Sequence, residues 1–308
     1  MTRHLDRGDA DGYARGIRAR RSSLSVPGSS PRMLEKAIAL EADELVVDLE
    51  DSVAADAKDQ ARERVVGFLS REGSLPVVVA VRVNALDGPW GERDVMELVR
   101  RAAPRIDSLV VPKVERPEDI VQVQRLLDSE GERATGLRLQ ALIETAAGLL
   151  HVGEIAAASP RLESLILGSE DLAASLGRAP GAMSPQSWLH AQETLLVAAR
   201  AAGLQAIDGP YLDIRDHGGL RLRAEHVHAL GFDGKWAVHP DQLTIINTAF
   251  TPTAEEIGRA RAVLDALRNT EGRGAIELHG EMIDEASRKL AMRVIARGRA
   301  ASSGGALR

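Results

Sequence analysis

The sequence predicts an α/β chain folded as a TIM-type (β/α)8 barrel, followed by a C-terminal arm that is part helical and part extended. Three observations predict it. Short apolar runs recur roughly every 25 to 35 residues across 20–250, about eight in all, with a helical stretch between each pair. The runs Leu137–Ile143 and Leu162–Leu167 are predominantly apolar and read as buried strands of a parallel sheet. Several runs stop in charged residues, Glu144 after the first of these and Glu170-Asp171 after the second. An open doubly wound sheet is the main alternative, and no glycine-rich dinucleotide fingerprint follows the first strand to favour it.

The elements follow in order. Residues 1–19 are polar, charged and glycine-bearing, and are expected to form a flexible arm. Ser22–Val26 reads as the first strand, stopped by Pro27-Gly28. Ser30 is a candidate N-cap with Pro31 at the first helical position, and Met33–Leu40 is apolar at helical spacing. Glu44–Leu49 is the second strand, running into Asp48-Leu49-Glu50-Asp51, and a polar helix over Lys58–Leu69 follows. Val77–Val83 is the third strand and carries Arg82; Ser108–Val111 is the fourth, ending at Pro112-Lys113. Thr145–Ala158 has helical composition between strands five and six. Leu204–Ile207 and Gly234–Val238 complete the eight, the last ending at His239-Pro240. Thr251-Pro252-Thr253 then breaks the chain, and Thr253 with Glu256 makes a capping box for a helix to Leu267. Ala275–Ile283 reads as extended, Glu285–Arg297 as helix, and 301–308 as a flexible tail. The segment 251–300 is too small to fold alone and reads as a lid or exchanged arm over the barrel mouth.

Composition narrows the function classes. A chain of 308 residues, 44% hydrophobic and 27% charged, is long enough for a full core. With a net charge of −6 and 3% aromatics, neither a phosphate-binding surface nor base-stacking platforms are expected, so no nucleic-acid partner is. There is no cysteine, which excludes disulfides and thiolate chemistry and leaves oxygen or imidazole as metal ligands. No apolar run approaches a membrane span and no signal-peptide pattern opens the sequence, so a cytoplasmic protein without a membrane partner is expected.

In a strand–helix–strand unit the two strands are parallel, so Glu144 and the Glu170-Asp171 pair emerge at the same sheet edge. Two converging carboxylates suit a hard cation such as Mg²⁺, although acids after strands also serve simply to cap helices. Arg82, inside an apolar strand, needs an anion: either a strand-two acid, or a substrate carboxylate or developing oxyanion. Asp48, Glu50 and Asp51 crowd the end of strand two. Lys113 is a candidate to fix an internal carboxylate. His239 ends the last strand, and Pro27–Ser30 offers free N–H groups for phosphate with Arg20 and Arg21 close by in sequence. Such a mouth suits metal-assisted handling of an anionic oxygen substrate through a stabilised enolate.

Seven motifs occur in a fixed order: Arg21–Gly28, Asp48–Asp51, Val81–Asn84, Val111–Val114, Ile143–Thr145, Gly168–Leu172 and Lys235–Pro240. Together they resemble the citrate lyase β-subunit-like CoA-ester lyases, within the HpcH/HpaI aldolase/citrate lyase group. The resemblance implies a TIM barrel holding Mg²⁺, with Mn²⁺ as a substitute, through Glu144 and Asp171. It implies catalytic roles for Arg82 and Asp284, and substrate contacts from Arg21, Arg82, Val238 and His239. Asp48 is a further catalytic candidate, and Glu144 and Glu170 further substrate-contact candidates, from their places at the strand ends. Gly280–Asp284 resembles the family's C-terminal motif, whose Asp serves a neighbouring subunit, which implies a homotrimer or hexamer. The implied reaction is reversible cleavage of a 3-hydroxyacyl-CoA, such as malyl-CoA, methylmalyl-CoA or citramalyl-CoA, into a 2-oxo acid and an acetyl-CoA-type thioester. A malyl-CoA thioesterase, an aldolase for non-CoA hydroxy-keto acids, and a subunit requiring partners are the alternatives. The run from Asp87 through Trp90 to Val95 resembles malyl-CoA lyases more than dedicated citrate lyase subunits.

Overall fold

The computed structural model describes residues 18–71, 75–179, 184–268 and 274–303. The arm expected over 1–19 lies almost wholly outside the described residues. Of the tail expected over 301–308, residues 301–303 instead continue the last helix, which runs to Ser303 rather than Arg297, and 304–308 lie outside the described residues. The described residues form two compact units, Arg20–Phe250 and a unit beginning at Thr251.

The first unit is a closed barrel of eight parallel strands in sequential order. The strands are β1 (Ser22–Pro27), β2 (Glu44–Asp48), β3 (Val78–Arg82), β4 (Ser108–Val111), β5 (Arg138–Ile143), β6 (Leu162–Leu167), β7 (Gln205–Asp208) and β8 (Gly234–Ala237), with β8 pairing back onto β1. The main helices between them are α1 (Pro31–Ala37), α2 (Lys58–Leu69), α3 (Gly91–Ala102), α4 (Pro117–Ser129), α5 (Ala146–Leu150), α6 (Val152–Ala156), α7 (Ser169–Ser175), α8 (Pro185–Ala201), α9 (His217–Leu230) and α10 (Leu243–Phe250). The predicted bounds of β4, β6 and α2 match these. The helix expected over 145–158 is two short helices instead. Thr145 caps the first by accepting the Gly148 N–H at 3.0 Å. The break falls at His151, whose Nδ1 lies 2.9 Å from the Glu115 carbonyl oxygen, tying the chain to the preceding loop.

The strand period of two sorts side chains between two cores. Outward residues such as Leu45, Val47, Val79 and Leu165 pack against the helices in one large cluster. Inward residues stack in layers, as in barrels of this type. The middle layer is apolar: Val46, Ala80, Val110, Leu142, Ile166, Ile207 and Trp236, one from each of β2 to β8. The layer at the N-terminal ends is polar. There Arg20, fully buried, donates from Nε to Glu44 at 2.9 Å and from Nη2 to Glu163 at 2.6 Å. Gln140 joins Glu44 to Ser108 at 2.9 and 2.8 Å. Burying such groups is tolerable only because each finds a partner.

The second unit holds α11 (Ala254–Arg268), β9 (Ala275–Leu278), β10 (Glu281–Asp284) and α12 (Glu285–Ser303). The capping box is present: the Thr253 N–H donates to Glu256 at 2.7 Å and the Glu256 N–H donates to Thr253 Oγ1 at 3.1 Å. The stretch expected to be extended over 275–283 is a two-stranded hairpin. It turns at His279-Gly280, whose φ values of 53° and 84° are the paired left-handed conformations that a tight hairpin turn requires. No helix among the described residues is long and apolar enough to cross a membrane.

Candidate active site

The top inward layer, at the C-terminal strand ends, gathers the charged residues. Asp48 and Arg82 are the last residues of β2 and β3 and are register partners. Arg82 grips Asp48 with two parallel hydrogen bonds, Nε–Oδ1 at 2.7 Å and Nη2–Oδ2 at 2.8 Å. Its remaining nitrogen, Nη1, lies 2.9 Å from Glu50 and 3.1 Å from Asp51. The guanidinium also sits 5.5 Å from the ring centroid of Trp236 in the layer below, within cation–π range. Asp48 is buried, and its oxygens accept further bonds from the N–H groups of Glu50 and Ser52 at 2.9 and 3.0 Å. Burial alone would raise its pKa, but the Arg82 hydrogen bonds and charge, together with the bonds from Ser52 and Glu50, outweigh that and hold the carboxyl below the usual carboxylate range. Of the two readings open for Arg82, the structure shows the ion pair with a strand-two acid, and its remaining nitrogen is held by Glu50 and Asp51.

A second cluster stands beside the first. Glu144, one residue beyond β5, is buried, and its Oε1 accepts the backbone N–H of Lys113 at 2.8 Å. Lys113 can aim that N–H only because it adopts φ 52°, a left-handed conformation that costs a non-glycine residue about 1–2 kcal/mol. The Lys113 ammonium reaches forward to Glu50 and stands 3.7 Å from Asp51, so one residue links both acid clusters. On its other side Glu144 abuts Gly168, where any Cβ would come within 2.4 Å of the Glu144 Cβ and 2.8 Å of its Oε2. Burial, followed by the charges of Glu50 and Asp171, pushes the Glu144 carboxyl up to about 8. Asp171 is exposed in the first turn of α7. Glu170 is half-buried and raised by burial, with Arg223 and Lys235 opposing and Asp171 reinforcing the shift.

Two acids that share a repulsive field, one of them buried and raised, form a site that a cation would relieve. Among the described residues no group of three or more His, Cys, Asp or Glu side chains is arranged to hold an ion. A pair of carboxylates nevertheless fits Mg²⁺, which keeps waters and takes substrate oxygens alongside one or two acids.

Val238, just past β8, and His239 are partly exposed at the same strand ends, and the Val238 N–H donates to Gln242 at 2.9 Å. Asp284 ends β10 in the second unit, where its Oδ1 accepts the N–H groups of Ala286 and Ser287 at 2.9 and 3.1 Å. Arg21 requires a correction. It precedes β1, so it lies at the N-terminal end of the barrel, opposite the mouth, and it is committed to Asp43 by Nε and Nη2 contacts of 2.8 and 2.7 Å. Arg20 sits at that same end, so neither arginine accompanies Pro27–Ser30. The roles of Glu50 as a second clasp on Arg82 and of Trp236 beneath it were not singled out from sequence. The period-two register through Glu44, Val46 and Asp48, and through Trp236 and Val238, is the signal that points to them.

A closed parallel barrel with an arginine and clustered acids on its C-terminal rim places the chain in the (β/α)8 class. The family model for HpcH/HpaI aldolase/citrate lyase matches residues 21–240, and the chain belongs to that family. It is 38% identical over 296 residues to the L-malyl-CoA/β-methylmalyl-CoA lyase of Cereibacter sphaeroides, covering 89% of this chain and 93% of the relative. It is 37% identical to the citrate lyase subunit beta of Escherichia coli, over 88% and 90% of the two chains. Among solved structures, CitE of Mycobacterium tuberculosis in complex with magnesium, acetoacetate and coenzyme A matches with a TM-score of 0.74 and 31% identity, covering 90% of this chain and 97% of that one. A citrate lyase from Burkholderia xenovorans shares the fold at a TM-score of 0.82 and 24% identity, over 93% and 94% of the chains. The relatives are lyases, and this chain is an enzyme of that class.

Proposed function

We propose that the chain is a Mg²⁺-dependent carbon–carbon lyase. It cleaves, or forms by condensation, a 3-hydroxyacyl-CoA of the malyl-CoA, methylmalyl-CoA or citramalyl-CoA type, with a 2-oxo acid and an acetyl-CoA-type thioester as the other side. The observation that carries this reading is the placement of Arg82, one edge locked on Asp48, on the same rim as the raised acid Glu144.

Glu144 and Asp171 would hold the metal ion, which when bound supplies Lewis-acid polarisation of the oxygens that become the 2-oxo acid. The protein's own groups account for the rest. Asp48 acts through Arg82 as a positioning residue, since both its oxygens are occupied. The Arg82 Nη1 edge turns to the substrate as exposed Asp51 lets go, and donates to the thioester oxygen as negative charge builds there. A base takes the hydroxyl proton, the carbon–carbon bond breaks, its electron pair enters the thioester enolate, and an acid returns a proton to the enolate carbon. Asp284, supplied by a neighbouring copy in a homotrimer or hexamer, is the proposed acid/base. Glu170, Val238 and His239 complete the lining. A cytoplasmic setting suits an acyl-CoA substrate.

The test is a cleavage screen of malyl-, methylmalyl-, citramalyl- and citryl-CoA with and without Mg²⁺. The expected products are a 2-oxo acid and a CoA thioester in equal amounts. Release of free CoA and a hydroxy acid instead would make the enzyme a thioesterase and overturn the proposal.

A further inference from the structure

Lys58 is a buried ammonium that the reaction as described does not use. It opens α2, where the helix macrodipole is positive and a cation is disfavoured. It is 8% exposed. Among the described residues no carboxylate oxygen stands within ion-pair distance of it. Its contacts are instead two backbone carbonyls, Leu49 O at 3.0 Å and Glu50 O at 2.7 Å, and the ring of Trp90, whose centroid lies 5.7 Å from Nζ. Burial lowers its pKa, with Asp48, Glu50, Asp51 and Asp94 opposing through space. A lysine placed against the dipole and away from water must be retained by what it holds. Both acceptors belong to the loop that carries the acids around Arg82.

We propose that Lys58 is a positioning residue of the active site: it clamps the Leu49 and Glu50 carbonyls and so fixes the acid loop that orients Arg82. These bonds do not cap the helix that carries Lys58, because its own orphan groups at this end are N–H donors, not acceptors. Trp90 closes the clamp from the side. Asp94, one turn into α3, secures the neighbouring loop by accepting from Asn84 Nδ2 at 2.6 Å and from Arg62 at 2.8 Å. Loops after β2 and β3 are thereby fastened to one another behind the rim.

The kinetic part of the test rests on the lyase reading; the structural part does not. Amide hydrogen exchange over 49–53 is compared in the wild-type chain and in Lys58→Met. Exchange is expected to quicken by about tenfold or more there, with β5 and β6 unchanged. In the cleavage assay kcat is expected to fall about tenfold, with the thioester KM moving less than about threefold. In Lys58→Ala, added ethylammonium should recover part of the lost rate. Should Lys58→Met fail to fold, Lys58→Gln, which keeps an N–H donor, is read by the same two measures. Loop exchange within about twofold of wild type, or a kcat left intact, would overturn the proposal. If the wild-type chain cleaves no thioester, the functional reading has failed, and the exchange comparison still decides this one.

Discussion

Arg82 and Asp48 meet fork to fork across adjacent strands, at 2.7 and 2.8 Å, and this pairing leaves only one guanidinium nitrogen directed at the rim. A lysine has no planar fork and cannot hold Asp48 while reaching outward. Arg82→Lys is therefore expected to lower kcat/KM for thioester cleavage by about 100-fold or more, the scale of losing one preorganised donor. Steady-state kinetics at saturating Mg²⁺ checks this; an unchanged kcat/KM would remove Arg82 from the mechanism.

Gly168 lies so close to Glu144 that a methyl group there must displace the carboxylate. Gly168→Ala should cost about 1–3 kcal/mol of stability, the range for overpacking, and weaken Mg²⁺ binding together with turnover. Thermal unfolding and metal titration on the purified variant read both. Wild-type metal affinity in that variant would show that Glu144 does not ligate the ion.

The Glu144 carboxyl, raised to about 8, keeps its proton through neutral pH when no cation is bound. A metal ion must displace that proton, so apparent Mg²⁺ affinity is expected to rise with pH up to about 8, by up to tenfold per unit, and then level off. Isothermal titration at pH 6, 7 and 8 in buffers of different ionisation heat would reveal the released proton. Glu144→Gln, which has no proton to lose, should bind weakly with no such slope.

Asp48 titrates in the opposite sense. Its folded-state value lies below the ordinary one, so its contribution to stability is present above about pH 4 and fades as pH falls further. Asp48→Asn should therefore cost stability at pH 7 and progressively less towards pH 3. Urea unfolding of both chains across that range tests it; a constant difference between them would mean that the ionised form contributes nothing.

If Asp284 serves a neighbouring barrel, two dead variants should revive one another. Arg82→Lys and Asp284→Asn, unfolded together and refolded as mixed oligomers, are expected to regain roughly a quarter of wild-type activity in a cyclic assembly. Activity no greater than the sum of the separate variants would place both residues in one chain's site or rule out the exchange.

Much of the barrel was legible because its strands are short apolar runs, and Ser108–Val111 and Leu162–Leu167 stand out against polar flanks. The acids at 48, 144 and 171 were legible for the same reason: each interrupts or follows such a run. Other features depend on what neighbouring strands bring. Arg21 looked like a rim residue from its motif, but the pairing of Ser23 with Glu44 sets Asp43 beside it at the other end. The left-handed turn at Lys113 is invisible because lysine carries no propensity for it. The break at His151 arises from a carbonyl 36 residues earlier in the chain, beyond any local pattern.

The polar layer at the N-terminal strand ends, locked around Arg20 and Glu44, has a practical corollary. It is separated from the rim by a full apolar tier, so the two ends can be altered independently. On the proposed lining, an engineer retargeting the enzyme to bulkier acyl chains would recut Val238, Glu170 or the loop after β2 and leave the basal lock alone. Efforts to harden the scaffold against heat would begin at that lock, with little risk to turnover.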